Sequence, residues 1–415
     1  MGGHGIETNV AATLTSSAAS VSLARSRNYL LLLAGQVVSQ MGDRLAMVAF
    51  PWLVYARTGS TLDTGVILAL YTLPYVLFGA FAGVIIDRFD KRRVMVVADV
   101  LRAGLIALVP IAASWSLPAV YVLSFLMASA AVFFEPTKLA ILPEIVAHDR
   151  LLRANSVLTT GDNLTEVLGY GLAGAILAVV PITTAFRIDA VTFLVSALAL
   201  MLMRYQKPAR AAQRAARSFG RELREGMSYL RHHRGMLANT VMVLCAAAGL
   251  GASYPLTFFL AVDVLDGGVE AFGIFEAAIG AGFLLGSIGV ALAATRLHKG
   301  LAMTIGLAIM GAALVTLAVA PTVGLATLPF LVVGLANSVV LIAVDTYVQM
   351  VVPRELLGRV WGARFALTQG AYALSVIVGG ALAGVFDVRV LFVAAGVLVA
   401  VPGIVALFVA QIRDA

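Results

Sequence analysis

Long apolar stretches separated by short polar clusters run through the chain from about residue 28 to its end. The apolar runs fall near 29–54, 64–86, 94–114, 118–138, 155–180, 184–203, 237–262, 271–294, 301–320, 324–349, 360–385 and 389–411. Each is close to the roughly 20 apolar residues that an α-helix needs to cross a bilayer. The runs do not alternate with period two, as the strands of a membrane barrel would. The pattern therefore predicts twelve transmembrane helices. Residues 1–27 are small and polar, and the string Ser17-Ala18-Ala19 comes before the first apolar run. A cleavable leader would place such a site after that run. The tail is read as cytosolic and the first run as a retained helix.

Composition agrees with that pattern. The chain has 415 residues, 61% hydrophobic and 12% charged, whereas soluble domains have about 25% charged residues. Soluble, disordered, collagen-like and nucleic-acid-binding classes are excluded. The net charge of +7 matters through its placement. With the N-terminus inside, 23 of the 29 Lys and Arg residues fall in inner segments and 3 in outer ones (Arg57, Arg187, Arg389); Arg44, Arg102 and Arg364 lie within spans. Basic residues concentrate on the cytoplasmic side, so both termini are expected there, in a bacterial cytoplasmic membrane. Cys245 has no second cysteine to pair with.

The one long connection, 204–236, carries nine basic residues. Within it Phe219, Leu223 and Met227 recur every four residues, which predicts a short amphipathic helix at the inner membrane surface. The segments on either side resemble each other locally. Glu135 and Pro143 are matched by Asp345 and Pro353, both displaced by 210 residues, and Asp87–Lys91 by Thr295–Lys299, displaced by 208. Those offsets fit a duplicated six-helix unit, with a substrate site near the midplane between parallel halves. The expected organisation is a tail (1–27), a first bundle (28–203), a basic linker (204–236) and a second bundle (237–415).

The string Gly83-Val84-Ile85-Ile86-Asp87-Arg88-Phe89-Asp90-Lys91-Arg92-Arg93 resembles the inner-loop signature of the major facilitator superfamily between spans two and three. It departs at Asp90, where most members have glycine. Gly42-Asp43, Pro51-Trp52-Leu53-Val54-Tyr55, Ile188-Asp189-Ala190 and Leu357-Gly358-Arg359-Val360 resemble the branch of bacterial efflux proteins that includes enterobactin and macrolide exporters. Gly169-Tyr170-Gly171-Leu172-Ala173-Gly174 is similar to the end of the antiporter signature in span five, with Tyr170 where the family usually has proline. The resemblance covers about 30–411. It implies an all-α membrane fold of two pseudo-symmetric six-helix bundles. It also implies proton-coupled efflux of a drug-like, siderophore-like or other amphipathic molecule by alternating access. An importer or a lysophospholipid translocator of the same fold is the alternative.

The resemblance further implies a latch in which Asp87 faces the start of span eleven, with Gly83, Arg88, Lys91, Arg92 and Arg93 around it. A carboxylate is favoured at a helix N-terminus. Charges at bilayer depth are costly and mark function by default. Gln36, Ser39, Gln40 and Asp43 fall on one face of the first span, which is expected to line the cavity. Asp43 either carries a proton or is a fixed partner of Arg44 or Arg102. Asp99 and Arg102 are three apart and can pair. Glu135, Glu166, Asp345 and Arg364 complete the candidate proton and substrate residues. Tyr71, Tyr75, Phe134, Phe258, Phe259, Asn337 and Gln349 are candidate lining residues, and Asp189 and Arg359 are expected to hold structure or gate. Glu276, in span eight, is a further candidate. No histidine has metal-ligand spacing, and neither a P-loop nor a G-x-S-x-G elbow is present. A monomeric carrier of small molecules in lipid is expected, with no enzymatic chemistry, cofactor or metal beyond a proton gradient.

Overall fold

The computed structural model describes residues 26–79, 89–147, 150–205, 219–293, 298–353 and 356–407. Gly83, Asp87 and Arg88 of the inner-loop signature lie outside the described residues, as do residues 1–25 of the tail and 206–218 of the basic linker.

The first six spans are α1 (Arg27–Thr58), α2 (Thr61–Leu70, resuming after a turn to Gly79), α3 (Lys91–Trp115), α4 (Leu117–Ile145), α5 (Leu151–Val179) and α6 (Ile182–Met201). The linker helix is α7 (Phe219–His232). The second set is α8 (Arg234–Phe259, continued by a π-helical turn Leu260–Val264), α9 (Gly268–Ala293), α10 (Lys299–Thr316), α11 (Val323–Val351), α12 (Leu357–Ala383) and α13 (Val388–Leu407). Ten helices among the described residues are long and apolar enough to cross a membrane. The other two long helices, α1 and α5, have 32 and 29 residues. Asp43 and Arg44 interrupt the apolar run of one, and Asp162 and Glu166 that of the other. Counting both is consistent with twelve crossings.

Local chemistry sets the helix starts. Asp90 accepts a hydrogen bond from the Arg93 N–H at 2.9 Å. The residue that departs from the family glycine is thus an N-cap, which satisfies a backbone donor that the first helical turn leaves free. Ser60 and Thr322 cap α2 and α11 in the same way. Pro74 cannot donate to the Leu70 carbonyl, and the chain turns at Tyr71-Thr72 between the two parts of α2. Neighbouring helices make such breaks tolerable at membrane depth.

Packing repeats along the chain. α1 packs on α5 and α6 as α8 packs on α12 and α13; α3 packs on α4 and α6 as α10 packs on α11 and α13. Two six-helix bundles result. They meet along α5–α9 and α2–α12, which are equivalent seams under that repeat. Large apolar side chains on the outer faces, such as Leu101, Leu108, Val122, Leu194, Leu198, Leu328 and Val397, are exposed. In a bilayer these meet lipid.

The amphipathic stretch predicted in the linker is present as α7, but its contact face is shifted from the expected stripe. Leu223 packs on the core, Leu230 is buried, and Gly226 lies against the Arg359 backbone. Glu225 forms a salt bridge with Arg359, and the Tyr229 hydroxyl donates to the Val351 carbonyl at 3.2 Å. The helix is therefore docked on α12 and the end of α11. A periodicity of four identified the helix, but only the neighbour's shape selects which of its faces is covered.

Candidate functional site

A cavity of about 390 Å³ lies in the first bundle and reaches α12. From α1 it is lined by Gln40, Asp43, Arg44 and Met47; from the α2 turn by Tyr71, Thr72 and Tyr75; from α3 by Arg102. Phe134 and Glu135 of α4 form the next wall, with Phe365 and Gln369 of α12 opposite. A second cavity of about 280 Å³ shares Phe365 and Gln369 and extends to Asp345 of α11 and Trp361, Arg364 and Thr368 of α12. The Trp361 and Phe365 rings stack there with centroids 6.0 Å apart. The two cavities are neighbouring compartments, one against each bundle.

The charged wall is built by three helices. Arg102 forms a salt bridge with Asp43, and its second nitrogen lies 3.8 Å from Asp99. Its guanidinium sits 4.0 Å from the centroid of the Phe193 ring, where a cation is attracted to the negative face of the aromatic system. Asp189 of α6 is fully buried and accepts from Thr192 at 3.1 Å. Its carboxyl also touches the space where a side chain on Gly42 would sit, which explains the glycine beside Asp43. Asp43, Asp99 and Asp189 all interact electrostatically with one arginine.

Arg44 points the other way. It packs on Gly169, and its guanidinium lies 5.2 Å from the Tyr170 ring centroid. Tyr170, which replaces the family's usual proline, is thus the seat for a buried arginine. A further chain of polar contacts joins α4, α5 and α1. Lys138 is buried between Glu135 at 2.8 Å and Asp162 at 3.3 Å; Gln40 donates to Asp162 at 2.7 Å; Thr165 donates to Gln40 at 2.5 Å. Sequence reasoning missed this network. Lys138 was placed at the border of an inner loop, whereas α4 continues seven residues further to Ile145. Asp162, an acid within an apolar run that also holds Glu166, was the available signal.

One end of the bundles, where α1 ends and α2 begins, is tightly closed. The Tyr55 hydroxyl lies 2.7 Å from both carboxylate oxygens of Asp263, which sits in the π-helical turn after α8. The rings of Phe258 and Phe259 pack around Tyr55 at 5.5 and 5.7 Å. A Cβ on Gly380 would lie 2.6 Å from the Gly65 Cα, and one on Gly273 would lie 2.9 Å from the Gly174 Cα. Only glycine permits backbones this close.

Several expected residues stand elsewhere. Gln36 and Ser39 are buried and line neither cavity, because α1 is packed by α5 and α6 on those sides. Asp99 supports Arg102 from behind and does not line the cavity. Glu166 faces the α5–α9 seam, against Gly280. Phe258 and Phe259 belong to the closed end, and Asn337 and Gln349 line neither cavity. Lys91 pairs with Glu144, and Arg92 donates to the Met203 carbonyl at 2.6 Å. Both bases therefore fasten α3 within its own bundle.

Comparison with known proteins gives a consistent picture. The sequence profile of the Major Facilitator Superfamily matches residues 32–375. The multidrug efflux pump Tap of Mycolicibacterium fortuitum is 27% identical over 396 residues, covering 93% of this chain and 96% of that protein. Macrolide efflux protein A of Streptococcus pyogenes is 24% identical over 397 residues, covering 92% and 95%. Among solved structures, the nucleoside transporter NupG aligns with a TM-score of 0.76 at 14% identity, over 92% of this chain and 98% of that one. A POT family peptide transporter aligns with 0.77 at 12% identity, over 93% and 97%. At that identity the structures share the fold alone.

Proposed function

We propose that this chain, which belongs to the Major Facilitator Superfamily, exports amphipathic drug-like molecules across the bacterial cytoplasmic membrane in exchange for protons. The observation that carries the reading is a cavity lined by aromatic residues and the Asp43–Arg102 pair, lying below an end closed by contacts between the bundles. Such a cavity accepts an apolar body while keeping a few charges for orientation. Export is supported by relatives named as efflux proteins that align over nearly their whole length.

The distribution of Lys and Arg supports cytoplasmic termini. On that orientation the closed end is the outer one and the cavity is directed inward. Transport then requires the closed end to part and the opposite end to join. Proton coupling is supported by the charge inventory around Arg102. Three carboxyls share one guanidinium at bilayer depth, and an uncompensated buried charge is strongly disfavoured. Asp43 is the member of the three that reaches the cavity, and it is the candidate proton carrier.

The resemblance implies a latch at Asp87, which would act at the opposite end, against the start of span eleven. Asp87→Asn is expected to lower transport at least tenfold with expression nearly unchanged; normal transport in that variant would retire the latch. The whole reading is tested in proteoliposomes of the monomeric protein, with a pH gradient and fluorescent amphipathic dyes such as ethidium and Hoechst 33342. Gradient-driven dye flux is expected. No flux across a broad panel of amphipathic compounds, from protein shown to be folded, would remove it.

A further inference from the structure

Glu276 of α9 is not used by the site above. It is 7% exposed, its Oε1 has no hydrogen-bond partner, and among the described residues it forms no salt bridge. It stands on the face of α9 that meets the first bundle. Gly273, one turn before it, packs on Tyr170 and Gly174, and Gly280, one turn after it, packs on Glu166 and Val167. Ala277, beside it, touches Gly171. The carboxyl is thus held inside the α5–α9 seam, which must change if the bundles rock.

The titratable groups that face Glu276 are few. They are Arg44 from α1, Glu166 and Tyr170 from α5, Tyr254 from α8 and Tyr372 from α12. On its other side α9 meets α11 through Leu331, Gly334, Leu335 and Ser338, none of them charged. Arg44 is the only cation among these groups, and two carboxyls, Glu166 and Glu276, compete for it. Arg44 makes a salt bridge with neither of them, being seated on Tyr170. A carboxylate in this position would be a buried charge without a partner, a state that costs several kcal/mol. A protonated carboxyl removes that cost.

We propose that Glu276 is a second proton-binding site, in the opposite bundle from Asp43, and that it binds its proton when the α5–α9 seam is closed. Opening the seam admits water, which stabilises the carboxylate and lets the proton leave. Closing the seam again requires a proton to bind. One proton is taken up and one released per cycle at this carboxyl, with no other bond changed. The proposal rests on the efflux reading for its purpose, but its physical content is a pH-dependent seam.

The test measures the seam directly. Spin labels at Val179→Cys and Leu325→Cys, both exposed and at the closed end, are placed in a Cys245→Ser background. Their separation is read by pulsed electron resonance across a pH series. The parent should hold a short separation at acid pH and gain a longer population at alkaline pH. Glu276→Gln, a neutral isostere, should stay short throughout, and Glu276→Ala should lose the pH dependence as well. Either variant following the parent's pH dependence overturns the proposal, as does a parent with no pH dependence. Dye flux by the parent is measured in parallel. Its absence would count against the efflux reading, while the seam result stands separately.

Discussion

Asp43→Asn should abolish pH-driven dye transport, by tenfold or more, while the protein remains folded and still binds dye within a few-fold of the parent. The structure gives the reason for this separation. Asp43 is the one carboxyl of the Arg102 cluster that both pairs with the guanidinium and lines the cavity. Amide replacement removes the exchangeable proton but leaves Asp99, 3.8 Å from Arg102, to compensate the cation. Arg102→Gln should behave differently. It strips the cation from two buried acids and the partly exposed Asp43, and breaking such an arrangement costs about 3–5 kcal/mol, so loss of folded protein is expected. Thermal unfolding and proteoliposome flux distinguish the two. Undiminished pH-driven flux in Asp43→Asn would reduce Asp43 to a fixed partner of Arg102.

Gly380→Val should hold the closed end apart. A Cβ there meets the Gly65 Cα at 2.6 Å and the Thr61 carbonyl at 3.0 Å, and both are backbone that cannot swing aside. Overpacking of this kind costs about 1–3 kcal/mol. Because it falls only on the conformation with the seam closed, it shifts the populations by about 5–150-fold. The readout is labelling of Met47→Cys, a cavity position, by an impermeant maleimide from the outer side, in the Cys245→Ser background. Labelling should accelerate at least tenfold and transport should stop. An unchanged rate would mean that the Gly65–Gly380 approach does not control access.

The apolar pattern made the spans legible because a bilayer imposes a length and a composition on each of them. Asp43, Arg44 and Arg102 were legible for the same reason, as charges where few are tolerated. Their pairing was not, since Asp43 had two arginines in reach and only the rotation of α1 against α3 and α5 selects Arg102. That rotation also removed Gln36 and Ser39 from the cavity, although they share a helical face with Asp43. Lys138 is hidden because the apolar run is ended at Lys138 itself, whereas the helix runs on through Leu139-Ala140-Ile141-Leu142 to Ile145. The Tyr55–Asp263 contact joins residues 208 apart in sequence and depends on a π-helical turn, which no local pattern announces.

The two acids at equivalent places in the repeat have acquired unequal surroundings. Glu135 is tied to Lys138 on its own helix and through it to Asp162. Asp345 shares its compartment with Arg364 and the Trp361–Phe365 stack and, among the described residues, makes no comparable bridge. On the proposed function, a guest that stretched across both walls would meet a neutralised, hydrogen-bonded patch at one tip and an aromatic, arginine-bearing patch at the other. Ancestral duplication would have supplied two interchangeable poses, and their divergence would leave such a guest a single heading.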